Sequence, residues 1–440
     1  MQAGFARVNI SPPSGTPLLG VGETTNRISV SINDPIHVRS LSLRHEDHEV
    51  LIMAFDLCFL GREDSDRFKG VLGRETGLLP SQILLAASHT HAAPALGCYY
   101  DMEYAPPLRD YLRDLERAVV CAAKESRNNQ REVRLRAGMA KTKLPLNRRQ
   151  LRDGKIVNAP NPKGPTLDSL PMCLFEDSQG KPVAFLFSIS THPVCMRGLE
   201  VSADYPGMAM EALDSHLGAT CSIFLQGTGG DSRPRPLGDG KMDWNFDSGA
   251  DDARAIGRIL ADEVKDGLRA LKPVEPKIRS AIIETQWPFQ NVKRQDYEAI
   301  LRRAGYQATP DKPDTGSSLE KMHHRWAGRQ LRLLDQGNMP KSLSILLQGI
   351  QIAEGVRLVA LEGEPMAEQG KAMEEFFGND TLTFALGYAN GEGIYLATSQ
   401  MLDEGGYEAE SYWEYGHPAP LAKGAEKTLV NGLQNLNFGT

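Results

Sequence analysis

The chain has 440 residues, of which 41% are hydrophobic and 24% charged, and its formal net charge is -7. This composition is typical of a soluble protein with enough chain to bury a sizeable core. The acidic balance excludes the basic footprint of a nucleic-acid-binding protein, so we expect no nucleic-acid partner. No run approaches the ~18 apolar residues that a transmembrane segment needs, and no signal-peptide pattern opens the chain. We therefore expect a cytoplasmic protein, or a secreted one if a signal has been removed.

Short apolar runs that end in a polar break recur along the chain. Their length and β-branched content favour buried strands. The runs span residues 50–60, 83–91, 183–193, 221–231, 356–365 and 382–393. Apolar residues at three- and four-residue spacing predict amphipathic helices at 107–126 and 250–271. This alternation predicts a mixed α/β fold, with layered sheets flanked by helices.

Two regions depart from this alternation. Residues 132–170 are rich in proline, asparagine, arginine and lysine, and predict a long non-helical excursion. Helical patterns at 294–305 and 319–336, on either side of a polar break, predict a helical insertion at about 290–340. No repeat of fixed period is evident. We expect residues 1–440 to form a single large domain.

Polar side chains gather where the predicted strands end, which is where open α/β sheets place their sites. Histidine, histidine and glutamate form a standard set of zinc ligands that leaves one position open for a water. The residues at these strand ends are Asp56, His89, His91, His192, Asp231, Glu364, Tyr388 and Tyr395. A single histidine at a strand end is more often hydrogen-bonded scaffolding than a ligand, so this zinc site is a hypothesis.

The two histidines of SHTH and the glycines of GTGGDSRP each allow more than one interpretation. We expect His89 and His91 to point to opposite sides, so that one binds the metal and the other acts on the substrate. Residues 227–234 match neither glycine-rich phosphate motif. They predict instead a tight turn in which glycine adopts positive φ.

Six segments, in their order and spacing, resemble the catalytic domain of the neutral/alkaline, non-lysosomal ceramidase family. They are GFARVNISPPSG, INDPIHVRSLSL, the strand that ends in Asp56-Leu57-Cys58, SHTHAAP, THPVCMRGLEVSADYPG and LQGTGGDSRP, within a resemblance that runs with gaps from residue 4 to about residue 416. SHTHAAP is similar to the HTHSGP motif of the family. The resemblance implies the fold of that catalytic domain. We expect the immunoglobulin-like domain of full-length members to be absent, because the chain ends soon after Tyr407.

The resemblance also implies a site and a reaction. The implied metal ligands are His89, His192, Glu364 and Tyr395, and the implied substrate-contacting residues are His91, Arg148 and Tyr407. The expected protein is a Zn²⁺-dependent hydrolase that cleaves an N-acyl amide bond of a small-molecule substrate through a metal-activated water. Because ligand histidines usually donate their second N–H to a carboxylate or a carbonyl, Asp56, Asp204 and Asp231 are candidate partners, with turn capping as the alternative role.

The predicted rim of the site mixes aromatic and acidic side chains, which favours a polar or medium-sized N-acyl compound over a long lipid. Its members are Tyr99, Tyr100, Asp101, Asp243, Trp244 and Trp413. Three alternatives remain open. One is a zinc hydrolase of the same fold acting on an ester, a glycoside or a small polar amide. Another is an amidohydrolase-like barrel with both SHTH histidines on the metal. The third is a non-catalytic binding protein that retains the fold. The sequence does not determine the oligomeric state.

Overall fold

The computed structural model describes residues 1–19, 27–97, 106–237, 244, 249–303, 318–378, 380–391 and 393–438. In chain order the strands are β1 (Gln2–Asn9), β2 (Leu18–Leu19), β3 (Ser31–Ile32), β4 (His37–His45), β5 (His48–Phe55), β6 (Ile83–Ala87), β7 (Ala93–Pro94), β8 (Arg131–Glu132), β9 (Arg134–Lys141), β10 (Pro145–Asn147), β11 (Arg149–Arg152), β12 (Lys155–Asn158), β13 (Ser169–Glu176), β14 (Pro182–Ile189), β15 (Glu200–Val201), β16 (Ser222–Gln226), β17 (Ser232–Pro234), β18 (Lys272–Pro273), β19 (Pro276–Pro288), β20 (Ser342–Ala353), β21 (Val356–Leu361) and β22 (Leu382–Leu386). The α-helices are α1 (Arg62–Thr76), α2 (Pro106–Asn128), α3 (Asp204–Leu217), α4 (Ala250–Leu268), α5 (Arg294–Arg303), α6 (Ser318–Asp335), α7 (Ala367–Phe377), α8 (Ser399–Glu404), α9 (Tyr407–Glu410) and α10 (Lys427–Asn435).

The three largest sheets have the same topology. The first is β6-β5-β4-β1-β8, the second β16-β14-β13-β9-β18 and the third β22-β21-β20-β19. In each sheet an antiparallel series ends in one parallel pair, which is β5–β6, β14–β16 or β21–β22. Parallel neighbours need a crossover, and the crossovers contain α1, α3 and α7 respectively. The three sheets therefore repeat one β-α-β plan, and each carboxyl end of a parallel pair is available for a site.

The hydrophobic core lies where the three sheets face one another. It includes Ile52 from the first sheet, Leu186 from the second and Phe384 from the third. Helices cover the opposite faces: α1 and α2 pack on the first sheet, α3 and α4 on the second, and α7 and α10 on the third. In β5, Ile52 points into the shared core, whereas Leu51 and Met53 pack under the helices. Because both faces are buried, such strands appear in the sequence as continuous apolar runs.

The predicted mixed α/β fold is confirmed. All six apolar runs contain strands, namely β5, β6, β14, β16, β21 and β22, and the two predicted amphipathic helices are α2 and α4. Helices α5 and α6 occupy the predicted helical patterns, while the polar break predicted at 306–318 falls outside the described residues except for Ser318, which begins α6. No helix in the described ranges is long and apolar enough to cross a membrane.

The structure excludes one alternative and adds strands that the sequence did not predict. The described strands form separate sheets with edges, which excludes the amidohydrolase-like barrel. Residues 132–170 contain no helix, as expected, and their described structure consists of the sheet strand β9, the short strand β10 and the hairpin β11–β12. The long pair β19–β20 was not predicted from the sequence. Strand β19 lies at a sheet edge and is only partly buried, so its sequence lacks a continuous apolar run.

Replacing Phe384 with alanine is expected to lower the free energy of unfolding by about 3–5 kcal/mol, because the ring is fully buried in the shared core and its loss leaves a cavity. Urea unfolding followed by circular dichroism measures the loss. Leu151→Ala is the control, because that side chain is 67% exposed. An equal loss in the two variants would contradict the assignment of the core.

Candidate functional site

In each of the three β-α-β units, one polar side chain follows a strand of the parallel pair, and the three side chains meet at a common point. His89 follows β6, His192 follows β14 and Glu364 follows β21, and all three are buried. The Oε2 atom of Glu364 lies 3.4 Å from Nε2 of His89 and 3.2 Å from Nε2 of His192. The three side chains form a group that could hold a metal ion. The site lies beyond the carboxyl ends of the parallel strands, which is the usual position in open α/β sheets.

Backbone carbonyls orient both imidazoles. Nδ1 of His89 lies 3.0 Å from the carbonyl oxygen of Cys58, and Nδ1 of His192 lies 2.6 Å from that of Gly229. A carbonyl oxygen only accepts hydrogen bonds, so in the neutral rings Nδ1 carries the proton and Nε2 presents a lone pair. Both lone pairs are therefore directed toward the Glu364 carboxylate.

Burial keeps the two imidazoles neutral. It lowers the pKa of His89 to about 3, although the nearby Glu364 carboxylate opposes the shift. It also lowers the pKa of His192 well below the usual value, and the Arg148 guanidinium adds to this effect. Neutral imidazole is the form that binds metal ions. The site thus presents two neutral nitrogen ligands and one carboxylate oxygen.

The three aspartates suggested by the sequence do not orient these histidines, whose Nδ1 atoms bond to main-chain oxygens. Asp56 instead forms a buried ion pair with Arg39, with a shortest distance of 2.7 Å. Asp204 accepts main-chain N–H groups around the start of α3. Asp231 accepts the N–H of Ala367 at the start of α7, at 3.0 Å. These carboxylates anchor helices and a strand end around the site.

His91 does not point away from His89, so the expectation of opposite directions is wrong. Their Nε2 atoms are 3.2 Å apart, and the rings meet edge to face at 4.7 Å. Alternate residues of an extended chain share a face. In addition, the chain turns at His89, whose φ is 66°. His91 is only partly buried and borders the three-residue group.

Tyr395 is joined to Glu364 through the backbone. The two residues form an isolated parallel bridge, in which the Glu364 N–H donates to Ile394 O at 2.9 Å. The Tyr395 hydroxyl lies 3.3 Å from Nε2 of His192. Burial, followed by the Glu364 carboxylate, raises the pKa of Tyr395 well above the usual value. The fourth residue of the predicted ligand set is therefore close to the other three, as a neutral phenol.

Arg148 lies behind the Tyr395 ring, with its guanidinium carbon 5.4 Å from the ring centroid. Its Nε donates to Glu408 at 2.8 Å, and Arg149 donates to the other oxygen of the same carboxylate. The Nη2 atom of Arg148 is buried and has no hydrogen-bond partner among the described residues. A buried guanidinium N–H without a partner is costly, so this donor is suited to a ligand.

Tyr407 lies farther out than the sequence suggested. Its side chain is 43% exposed, its ring packs at 5.6 Å from the Tyr395 ring, and its hydroxyl donates to Glu414 at 3.2 Å. A residue that sequence reasoning missed is Tyr415, whose hydroxyl donates to Oε1 of Glu364 at 2.8 Å. Its only signal in the sequence is the aromatic-rich segment SYWEYG.

The glycines of GTGGDSRP allow close packing of this segment against neighbouring backbone. The prediction that they adopt positive φ is wrong. Gly227, Gly229 and Gly230 are absent from the residues with positive φ. A Cβ atom on Gly229 would lie 2.8 Å from the Thr191 nitrogen, and one on Gly230 would lie 2.9 Å from the Glu364 carbonyl oxygen. This segment can therefore approach both the His192 segment and the Glu364 segment only if it lacks side chains.

The predicted rim is described only in part. Tyr99, Tyr100, Asp101 and Asp243 fall outside the described residues. Trp244 is buried and donates from Nε1 to the Pro234 carbonyl at 2.7 Å. Trp413 is partly buried, and its ring stacks on that of His323 at 4.2 Å. These two aromatic residues thus have packing partners of their own.

Comparison with solved structures identifies the fold. The structure is similar to the crystal structure of neutral ceramidase from Pseudomonas aeruginosa, with a TM-score of 0.73 and 16% identity over 99% of this chain and 74% of that chain. It is also similar to a ceramidase complexed with C2, with a TM-score of 0.71 and 15% identity over 99% and 75%. No protein-family model and no curated protein matches the sequence. The predicted resemblance to neutral ceramidases is confirmed at the level of the fold.

Because burial already keeps His89 and His192 neutral, protons should compete with a metal ion only at low pH. We expect the affinity for Zn²⁺ to stay level from about pH 7 to about pH 5, whereas ordinary imidazole ligands lose affinity below about 6.5. Competition with a chelator measures it, and a zinc-finger peptide with solvent-exposed ligands serves as the control. An affinity that falls from pH 6.5 onwards, as in the peptide, would contradict this expectation.

Proposed function

We propose that the chain is a zinc-dependent hydrolase that cleaves an N-acyl amide bond. One observation carries the proposal: two imidazole nitrogens and one carboxylate oxygen, all buried, converge on a common point. They are Nε2 of His89, Nε2 of His192 and Oε2 of Glu364. Because their lone pairs repel one another, a cation is the group that fits between them. Two imidazoles and a carboxylate are a standard set for catalytic zinc.

Tyr395 is the proposed fourth ligand. Its phenol oxygen is within 3.3 Å of His192 Nε2 and is linked to Glu364 by the backbone bridge. A neutral phenol is a weak donor, which suits a position that exchanges with other oxygen ligands. A zinc ion held here would act as a Lewis acid that polarises a carbonyl group and makes water nucleophilic near neutral pH.

The residues around the ligands have complementary roles in the proposal. Arg148 directs its unpartnered Nη2–H to the oxyanion that develops on the substrate carbonyl. His91, which is partly exposed beside His89, transfers a proton to the leaving amine, a role suited to an imidazole. Tyr407 lies at the outer edge of the site, next to Tyr395, and contacts the substrate there.

The class of substrate is inferred from the similar structures, which are both named ceramidases. Their fold covers nearly all of this chain, and this supports an amide over an ester or a glycoside. The acyl group is left open between a lipid chain and a shorter one. We further propose that the chain works as one catalytic domain, because residues from all three sheets contribute to the site.

The deciding experiment measures bound zinc and hydrolysis in the same preparations. We expect about one zinc per chain, turnover of N-acyl amides in a panel that also contains esters and glycosides, and loss of both properties in the double variant His89→Ala, His192→Ala. The variant His45→Ala, His48→Ala is the matched control, because these histidines pair across the β4–β5 turn. Retention of stoichiometric zinc by the first double variant would refute the metal site. Turnover of esters or glycosides without amides would refute the reaction.

Arg148 and Arg149 form a matched pair, because both bond to Glu408 and only Arg148 lies over the Tyr395 ring. Arg148→Met is expected to lower kcat by about 10²–10³-fold while zinc remains bound, which is the usual effect of losing one oxyanion donor. Arg149→Met should weaken the fold to a similar extent but leave kcat within about tenfold of the parent. Steady-state kinetics and zinc analysis test this. Equal kcat losses would assign Arg148 a purely structural role.

A further inference from the structure

The Glu364 carboxylate is held from two sides. Its Oε2 atom faces the two imidazoles, while its Oε1 atom accepts the Tyr415 hydroxyl at 2.8 Å. A carboxylate with one oxygen fixed by a donor cannot rotate freely about its terminal bond. Tyr415 therefore fixes the rotation of the carboxylate group, and with it the direction in which the other oxygen faces the histidines.

Helices α5 and α6 support the segment that contains Tyr415, residues 411–418. Three buried side chains of these helices donate to consecutive carbonyl groups just after Tyr415. Gln330 donates to Gly416 O at 3.1 Å, Trp326 to His417 O at 2.9 Å and Tyr297 to Pro418 O at 2.9 Å. Hydrogen bonds to three successive carbonyls fix the backbone of the 411–418 segment.

The same segment is also attached to the strand-like stretch beside Glu364. Nε2 of His417 lies 2.6 Å from the carbonyl oxygen of Gly393, which requires that nitrogen to donate. The next residue, Ile394, accepts the main-chain N–H of Glu364 at 2.9 Å. Glu364 is thus linked to the 411–418 segment through its carboxylate and, by way of Gly393, through its backbone.

We propose that Tyr415 is a positioning residue for Glu364 and that helices α5 and α6 maintain its position. This inference rests on the proposed function, because its consequence is the strength of metal binding. A partner that fixes a metal ligand typically changes metal affinity by about 10–100-fold when it is removed. The helices α5 and α6 therefore contribute to the site although they supply no ligand to it.

The first test replaces single hydroxyl groups in the full chain. Tyr415→Phe is expected to weaken Zn²⁺ binding by about 10–100-fold, because it removes the donor to Glu364 and keeps the ring. Tyr412→Phe is the matched control, since that ring lies on the same segment and packs against Trp326. Its zinc affinity should equal that of the parent. Chelator competition gives the affinity, and circular dichroism verifies folding.

The second test changes Tyr297 in helix α5 instead of Tyr415 itself. It decides the question if the Tyr415→Phe variant does not fold. Tyr297→Phe removes only the hydrogen bond to Pro418 O and should weaken zinc binding by about two- to fivefold, the size expected for one hydrogen bond. If the parent binds zinc and Tyr415→Phe binds it equally well, the positioning role is refuted while the proposed function stands. If only Tyr297→Phe is unchanged, the support by α5 and α6 is refuted. A parent chain that binds no zinc refutes the proposed function and this inference together.

Discussion

The structure depends on an unusual electrostatic arrangement, in which two imidazole lone pairs and a carboxylate oxygen face one another in a buried space. Desolvation makes such a group of acceptors costly unless a cation or a proton lies between them. Protonation of the two imidazoles is unfavourable, because burial lowers the pKa of both His89 and His192 and their Nδ1 protons already bond to carbonyl groups. The orientation of each ring thus favours the binding of a metal ion.

The repeated β-α-β plan explains how residues so distant in the sequence meet. Each sheet ends in one parallel pair, and the three pairs direct their carboxyl ends to one point. Isolated bridges join the sheets near that point, between Ala86 and Ala389 and between Gly227 and Leu386. The backbones can approach this closely only where the residues are small. At Gly230, for example, a Cβ atom would lie 2.9 Å from the Glu364 carbonyl oxygen. The glycine-rich turn is therefore a packing element between two segments that contain site residues.

The sequence predicted those parts of the fold whose burial is complete on both faces. Strands such as β21 appear as apolar runs, and the polar residue after each run, such as His192, marks the site. Strand β19 escaped detection because its burial is partial. The shared direction of His89 and His91 agrees with the two-residue period of an extended chain, so their spacing was a signal for it, whereas the positive φ of His89 was not predictable. Tyr415 could not be identified, because its role arises from contacts between a loop, two helices and Glu364 that have no local pattern.

The formal charges around the site relate its geometry to the proposed chemistry. Glu408 pairs with Arg148 and Arg149, Arg149 also pairs with Glu404, and the imidazoles are neutral. A divalent ion held by Glu364 would leave an excess of positive charge over that carboxylate in a region of low dielectric, where charge interactions are strong. An anionic centre, such as the oxyanion of a tetrahedral intermediate, would neutralise part of that excess, and the buried Nη2 of Arg148 would gain a partner. In the proposed hydrolase, this arrangement would favour the transition state of acyl transfer over the neutral amide.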